Sequence, residues 1–179
     1  KFEQKFSFLD VSKRMILITG HRRENFGSGF QQICNAIVKL AERDDIQMVY
    51  PVHMNPNVHN PVTDVLGGCR NVVLLEPQDY PSFIYLMRRS HLILTDSGGV
   101  QEEAPSLGKP VVVMRDTTER PEAVAAGTVV LAGAMYENII HYVSKLLDDT
   151  KYFEQMSKAS NPYGDGKSCD RIVSLLQTL

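Results

Sequence analysis

Short runs of apolar residues recur along the chain, and they lack the alternation of apolar and polar positions that marks a strand exposed on one face. Brief runs rich in Val, Ile and Leu are typical of strands covered on both faces. They predict six strands, at residues 15–19, 48–52, 72–75, 92–95, 111–114 and 128–131.

Between and after these runs, apolar residues recur at helical spacing. The amphipathic stretches predict helices at residues 30–41, 82–89, 136–147 and 168–179. Strands that alternate with helices along a chain form a parallel sheet with helices on its faces. The sequence therefore predicts an α/β fold with a doubly wound parallel sheet, in one domain that spans residues 1–179.

Polar and glycine-rich residues directly follow five of the predicted strands. They lie at residues 20–27, 53–57, 97–99 and 115–120, together with Gln78. The carboxyl ends of parallel strands share one edge of the sheet, where ligands of such folds bind. We therefore expect these five loops to meet at a single ligand site.

Composition favours a small-molecule partner. The 179 residues are 43% apolar with a formal net charge of −2 and no long Lys/Arg block, so neither nucleic acid nor an anionic membrane is expected to bind. No apolar run approaches the roughly 18–20 residues of a membrane span. The three cysteines are widely spaced without a CxxC pair, which favours free thiols and a cytoplasmic location. The start lacks Met, and we expect a piece of a longer protein.

The segment LILTDSGGVQEE, residues 92–103, joins a buried strand to a helix through Ser97, Gly98 and Gly99. Glycines without a Cβ let a phosphate approach the backbone closely, and the amides at a helix start favour its negative charge. From these residues alone, a diphosphate site and an ordinary strand-to-helix turn both remain open.

The same helix carries Glu102 and Glu103, followed by Pro105. Proline cannot donate a helical hydrogen bond, so we expect the helix to be short or kinked. One of the two carboxylates would then lie close to the ligand site at the start of the helix. A carboxylate there can accept both hydroxyls of a ribose. The alternative is that the acidic pair only provides favourable charge in the first turn of the helix.

The segment ITGHRRENFGSGF, residues 18–30, places an imidazole and two guanidinium groups just after a strand. This combination suits polyanion binding, or acid–base work near neutral pH. The dense polar setting indicates a functional role for His21. We expect one of Arg22 and Arg23 to form an ion pair with Glu24.

The segment PVHMNPNVH contains His53 and His59, whose spacing matches no familiar zinc pattern, and no metal site is predicted. His53 follows a strand, so we expect it to face the cleft. His59 is predicted to lie at the surface, in a proline-flanked loop.

Arg120 follows the fifth strand, either as a ligand contact or as a structural partner of Glu119 or Glu122. Phe83 is predicted to begin a helix and can stack on a nucleobase, although core packing is the more common role of such an aromatic residue. Residues 161–172 read as a glycine-rich loop that leads into the last helix.

A resemblance to a known family rests on four segments, which span the chain from about residue 14 to its end. GHRRENFG, PVHMNPNV, LTDSGGVQEEAPSLGKPVVVMRDTTERPE and NPYGDGKSCDRI resemble the carboxyl-terminal domain of the non-hydrolysing UDP-N-acetylglucosamine (UDP-GlcNAc) 2-epimerases. The resemblance implies a glycosyltransferase-B-type (GT-B) fold, in which two Rossmann-like domains enclose the active site. This chain would be the second, UDP-binding domain, and the first domain is absent from it.

The resemblance also implies roles for particular residues. His21 is the implied catalytic residue, and Arg22 and His53 match positions that touch a second, allosteric UDP-GlcNAc. The implied substrate contacts are Gln78 and Phe83 near the uracil, Ser97, Gly98 and Gly99 at the diphosphate, Glu103 at the ribose, and His21 and Arg120 as further contacts. No cofactor is implied.

The implied reaction inverts carbon 2 of the sugar and interconverts UDP-GlcNAc and UDP-ManNAc. It proceeds by anti elimination of UDP to 2-acetamidoglucal and re-addition of UDP. The acidic residues that handle the carbon-bound proton belong to the first domain. We therefore expect the chain alone to bind UDP weakly and to be almost inactive, and the full-length enzyme to be a homodimer in cell-surface polysaccharide biosynthesis.

Three other functions remain to be weighed. A GT-B glycosyltransferase shares the fold and a comparable phosphate loop, and a hydrolysing 2-epimerase would release free ManNAc and UDP. A nucleotide-sensing module that has lost catalysis is the non-enzymatic alternative. The GHRREN and DTTERPE segments favour the epimerase over the glycosyltransferase.

Overall fold

The computed structural model describes residues 2–178 and contains one parallel six-stranded sheet. The strand order is β3-β2-β1-β4-β5-β6, and every pair of neighbours runs parallel. The strands are β1 (Arg14–Thr19), β2 (Ile46–Pro51), β3 (Val72–Leu75), β4 (Leu92–Thr95), β5 (Val111–Val113) and β6 (Val129–Leu131). All six predicted strands are confirmed, with small changes at their ends.

Helices connect the strands and cover both faces of the sheet. The α-helices are α1 (Phe2–Lys5), α2 (Ser28–Leu40), α3 (Pro56–Leu66), α4 (Tyr80–Arg89), α5 (Gly98–Glu103), α6 (Pro121–Ala125), α7 (Tyr136–Asp148), α8 (Thr150–Ser157) and α9 (Ser168–Leu176). Short 3-10 helices lie at Arg23–Asn25 and Ala104–Leu107. Each of the four predicted helices is present.

One expectation about the second connection was wrong. His59 does not lie in a surface loop but within α3, where it is half-buried. The helix forms because Asn55 caps its start, where the side-chain oxygen accepts a hydrogen bond from the backbone N–H of Asn57 at 3.0 Å. Pro56 occupies the first turn, where a missing N–H costs nothing.

Alternate residues of the strands supply two separate apolar cores. Ile16 and Ile18 of β1 pack with α2, α3 and α7 on one face, whereas Met15 and Leu17 pack with α4 and α5 on the other. Both faces are therefore covered, which accounts for the apolar runs without polar alternation. The predicted doubly wound architecture is confirmed.

The last helix, α9, spans nine residues and buries none of its side chains. Its large apolar side chains are more than half exposed: Ile172, Val173, Leu175 and Leu176. Cys169 on this helix is also exposed, whereas Cys34 lies in the core, where burial raises the pKa of its thiol to about 11. Across residues 2–178, no helix is long and apolar enough to cross a membrane.

Candidate functional site

The connections that follow β1 and β4 meet at the centre of the sheet's carboxyl edge. β1 and β4 are hydrogen-bonded neighbours, while the chain turns outward from them in opposite directions to β2 and to β5. This is the topological switch point, where a crevice opens and where ligands of doubly wound sheets bind. The site therefore centres on residues 20–27 and 96–103.

Asp96 ties these two connections together. The side chain is fully buried, and its Oδ2 accepts hydrogen bonds from the backbone N–H groups of His21 at 2.9 Å and Arg22 at 2.8 Å. Asn25 Nδ2 lies 3.4 Å from the same oxygen and donates to the Met114 carbonyl at 3.1 Å. Sequence reasoning missed Asp96, although a lone carboxylate between a buried strand and a glycine turn is a signal for it.

His21 lies over this carboxylate at the rim of the crevice. Its side chain is 43% exposed, and its Nδ1 lies 3.9 Å from Asp96 Oδ1. The ring stacks on that of His53 with centroids 5.2 Å apart, so the expectation that His53 faces the cleft is consistent with its position. Beneath the loop, the hydroxyl of Tyr50 donates to the Gly20 carbonyl at 3.0 Å, and burial raises the pKa of this phenol.

The glycine turn lies directly beside the His21 loop. Ser97 begins the turn, and its backbone N–H donates to Thr95 Oγ1 at 3.0 Å. A Cβ built on Gly98 would lie 3.8 Å from Arg22 Nη2, so a guanidinium faces the start of α5. Two segments far apart in sequence thus place a cation next to free helix amides, a combination that favours an anion.

α5 is as short as Pro105 predicts, because it ends at Glu103 and continues as a 3-10 helix. The two acidic residues have different neighbours. Glu102 forms an ion pair with Arg120, while Glu103 accepts a hydrogen bond from the Tyr80 hydroxyl at 3.2 Å. The charge of Glu103 also raises the pKa of Tyr80.

One open alternative and one predicted ion pair are corrected by these contacts. Arg120 pairs with Glu102 of α5 rather than with the side chain of Glu119 or Glu122, because α5 and the β5 connection lie side by side. Within residues 2–178, Glu24 pairs with Arg115 rather than with Arg22 or Arg23.

Arg115 and Gln101 are two further residues that sequence reasoning missed. The buried guanidinium of Arg115 binds both Glu24 and Glu119, which joins the connections after β1 and β5 and lowers the pKa of Glu119 to about 2. The buried amide of Gln101 accepts from Thr118 Oγ1 at 2.6 Å and donates to the Ser97 carbonyl at 3.2 Å. These bonds anchor the glycine turn against the β5 connection.

The residues predicted near a uracil lie farther along the same edge, after β3. Gln78 Nε2 donates to the Glu76 carbonyl at 2.6 Å, and its buried Oε1 accepts no hydrogen bond from the described residues. Phe83 does not begin α4, which starts one turn earlier at Tyr80, where the Asp79 carboxylate caps it. The half-buried ring of Phe83 packs against one of the two cores.

No group of three or more potential metal ligands converges within residues 2–178. The polar groups of the site are instead amides, guanidinium groups, an imidazole and carboxylates at a switch point. Together the sheet order and this crevice define a doubly wound domain of the Rossmann-like class.

Comparison with known families narrows this class. A sequence model of the UDP-N-acetylglucosamine 2-epimerase family matches residues 2–177. The chain therefore belongs to the UDP-N-acetylglucosamine 2-epimerase family. It is 57% identical over 175 residues to the UDP-N-acetylglucosamine 2-epimerase of Yersinia pestis, covering 97% of this chain and 46% of that protein. It is 58% identical over 173 residues to the UDP-N-acetylglucosamine 2-epimerase of Escherichia coli K12, and this match covers 96% of this chain and 46% of that protein.

Solved structures agree with the fold. The Neisseria meningitidis UDP-GlcNAc 2-epimerase bound to UDP-GlcNAc has a TM-score of 0.93 at 51% identity, covering 99% of this chain and 48% of that one. The Staphylococcus aureus MnaA–UDP structure has a TM-score of 0.89 at 43% identity, with coverage of 99% and 48%. The predicted GT-B-type fold class is confirmed. The chain spans about half the length of these relatives and corresponds to their carboxyl-terminal half.

Proposed function

We propose that this chain is the UDP-binding half of an enzyme that interconverts UDP-GlcNAc and UDP-ManNAc. The observation that carries the proposal is the meeting of the His21 loop and the 97–99 turn at the switch point, in a chain that belongs to this family. Relatives with the same fold have been solved with UDP-GlcNAc and with UDP bound. A nucleotide sugar as substrate is consistent with action in the cytoplasm, and the proposal needs no cofactor.

The diphosphate is assigned to the start of α5. Ser97, Gly98 and Gly99 leave room for phosphate oxygens, and the amides of the first helical turn can donate to them. Arg22 lies beside Gly98, and Arg120 lies across α5. Because Arg120 already pairs with Glu102, it would exchange one anionic partner for another when the diphosphate binds.

The nucleoside is assigned to the part of the site nearer β3. The Glu103 carboxylate can accept hydrogen bonds from both ribose hydroxyls. Its present hydrogen bond from the Tyr80 hydroxyl would then be broken. Gln78 Oε1 is buried and lacks a hydrogen-bond donor among residues 2–178, and after a rotation of the side chain it can accept the imide N–H of uracil. Phe83 is the assigned uracil neighbour, although its ring now packs against the core.

The proposed reaction eliminates UDP across the bond between carbons 1 and 2 of the sugar and adds it back with the opposite configuration at carbon 2. The electron pair of the broken carbon–oxygen bond leaves with the diphosphate, where helix amides, His21 and Arg120 can stabilise the charge. The carbon-bound proton is taken by a base that we assign to the amino-terminal half of the enzyme. The chain alone would therefore bind nucleotide and turn over almost nothing.

Regulation and assembly belong to the same proposal. Arg22 follows His21 in the same loop, and the ring of His53 stacks on that of His21. We assign to Arg22 and His53 a second, allosteric UDP-GlcNAc. The full-length enzyme is proposed to be a homodimer.

Titration calorimetry of UDP into this chain tests the nucleotide site. The double variant Ser97→Trp/Glu103→Ala fills the phosphate turn and removes the ribose acceptor, so we expect at least about a tenfold loss of affinity, equivalent to about 1.4 kcal/mol. A matched control, Thr150→Trp/Glu154→Ala, makes the same kinds of change at two exposed positions of α8 and should bind UDP like the parent. This helix lies near the amino end of β4, where its Phe153 stacks on His91. Equal binding by both double variants would reject the assigned site.

Product analysis of the two-domain enzyme tests the reaction. UDP-GlcNAc should give UDP-ManNAc, with no stoichiometric release of free ManNAc and UDP. Release of both would instead assign a hydrolysing epimerase, transfer to an acceptor would assign a glycosyltransferase, and UDP binding without turnover would leave a sensing module.

A further inference from the structure

Asp96 supports the His21 loop with only one of its two carboxylate oxygens. Oδ2 accepts the backbone N–H groups of His21 and Arg22 at 2.9 and 2.8 Å. Oδ1 is equally buried, and within residues 2–178 no group donates a hydrogen bond to it. A buried carboxylate oxygen without a donor is unfavourable, so the site gains stability when a nearby N–H or O–H reaches it.

The imidazole of His21 is placed to supply that donor. Nδ1 lies 3.9 Å from Oδ1, which is too long for a hydrogen bond but within reach of a small rotation of the ring. The backbone of His21 is already held by Oδ2, so the side chain alone has to move. The ring is not enclosed, because its side chain is 43% exposed. The nearly parallel ring of His53 lies against it, with ring centroids 5.2 Å apart.

We propose that Asp96 is a positioning residue, whose free oxygen accepts a hydrogen bond from Nδ1–H of His21 and so leaves Nε2 available to the ligand. Nδ1 then carries a proton in both the neutral and the cationic ring. Nε2 is therefore the nitrogen that takes up or releases a proton at the rim of the crevice. The hydrogen bond is inferred from the geometry of the two side chains, whereas its effect on turnover rests on the proposed function.

A purely structural Asp96 makes a different prediction. If the carboxylate only anchors the loop through Oδ2, the tautomer of His21 is set by solvent, and Nε2–H is the form that free histidine prefers. The position of the proton on the ring thus separates the two roles, whereas loss of stability on mutation does not.

Long-range proton–nitrogen NMR correlation spectra of the 15N-histidine-labelled chain report this tautomer directly. At about pH 8.5 an unperturbed imidazole is neutral. The His21 signals are assigned by their absence in His21→Gln. We expect the parent chain to carry the proton on Nδ1, and a dominant Nε2–H form in the parent would overturn the proposal without any need for a variant.

The substitution Asp96→Asn keeps the shape of the side chain but replaces one acceptor oxygen with a donor NH₂ group. Its amide oxygen can still accept the loop N–H groups, while its NH₂ faces Nδ1 and can only donate, so the proton of His21 should move to Nε2. Tyr50→Phe is the matched control, since it removes the hydroxyl bond to Gly20 in the same loop and leaves the carboxylate intact. The control should keep the parent tautomer, and an unchanged tautomer in Asp96→Asn would refute the proposal.

Kinetics of the two-domain enzyme carry the inference to function. A misplaced proton on the ring should lower kcat by about a hundredfold or more with little change in KM. If the tautomer reverses and kcat does not fall, the hydrogen bond stands and the catalytic role of His21 fails. UDP titration of the same variants reports separately on the nucleotide site.

Discussion

His91 and His21 show how burial decides what a histidine can do. His91 precedes β4 and stacks on Phe153 of α8, with ring centroids 4.1 Å apart. Its Nε2 is buried and has no hydrogen-bond partner among the described residues. Burial lowers the pKa of His91, and the nearby charge of Arg14 lowers it further. A hydrogen bond to the Leu146 backbone raises the pKa but only partly offsets these two effects. The neutral ring therefore suits this position, whereas His21 remains accessible beside a carboxylate.

This shift predicts that acid destabilises the fold. The pKa of His91 is lowered in the folded state, so below the unfolded value of about 6.5 the unfolded chain binds the proton first. The contribution of His91 to the free energy of unfolding is complete above about pH 6.5 and is lost as the pH falls toward the folded pKa. Urea unfolding from pH 7.5 to 5 measures this loss. His91→Phe keeps the stacked ring without a titrating group, and an equally steep pH dependence in that variant would contradict the assignment.

At the scale of the element, α3 shows packing prevailing over an unfavourable local sequence. Pro61 lies inside the helix, where its ring nitrogen cannot donate. The helix nevertheless forms, because Asn55 caps it and one apolar residue per turn is fully buried against the sheet, namely Val58, Val62 and Leu66. That spacing of four was the signal for the helix, and the two prolines obscured it.

The end of α3 offers a matched pair of glycines. A Cβ on Gly67 would lie 2.6 Å from the backbone carbonyl oxygen of Thr63, which cannot swing away as a side chain can, whereas Gly68 has nothing within 4 Å. We expect Gly67→Ala to lower the free energy of unfolding by about 1–3 kcal/mol, as overpacking does. Gly68→Ala should change it by no more than about 0.5 kcal/mol. Equal values in chemical denaturation would show that the backbone relaxes freely.

At the scale of the whole molecule, the described chain leaves one amphipathic element without a core. α9 buries none of its side chains, although its apolar residues follow helical spacing. The proposed function supplies an occupant for this face, the amino-terminal half of the enzyme, because the curated relatives are about twice as long as this chain. The helix would then contribute to joining the two halves rather than to stabilising this one.

Mutating this face should therefore leave the isolated chain unchanged. Ile172→Ala/Leu176→Ala should alter the free energy of unfolding by less than about 0.5 kcal/mol. Ile139→Ala, at a fully buried position of α7, should cost about 2–5 kcal/mol. In a pull-down with the separately expressed amino-terminal half, the α9 double variant should retain less of that half than the unmutated chain does. A large loss of stability from the α9 changes alone would instead place the helix in this core.

The sheet order connects these scales. Because β1 and β4 are neighbours, loops that are distant in sequence become one crevice, and the polar residues after β2 and β5 are added at its sides. The convergence of loops at the carboxyl edge follows from parallel strands alone and was predictable. Their individual contacts were not, as the partners of Arg120 and Glu24 show.

The sequence by itself determined the strands, four helices, the doubly wound class and the glycine turn, because each depends on the periodicity or conformational limits of a short stretch. Its match to a known family extends over nearly the whole chain. Only the tertiary structure revealed that Asp96 holds the His21 backbone across 75 residues, or that Glu102 takes Arg120. Such pairings depend on which strands lie side by side and on which polar groups are buried together, and neither is encoded in any local pattern.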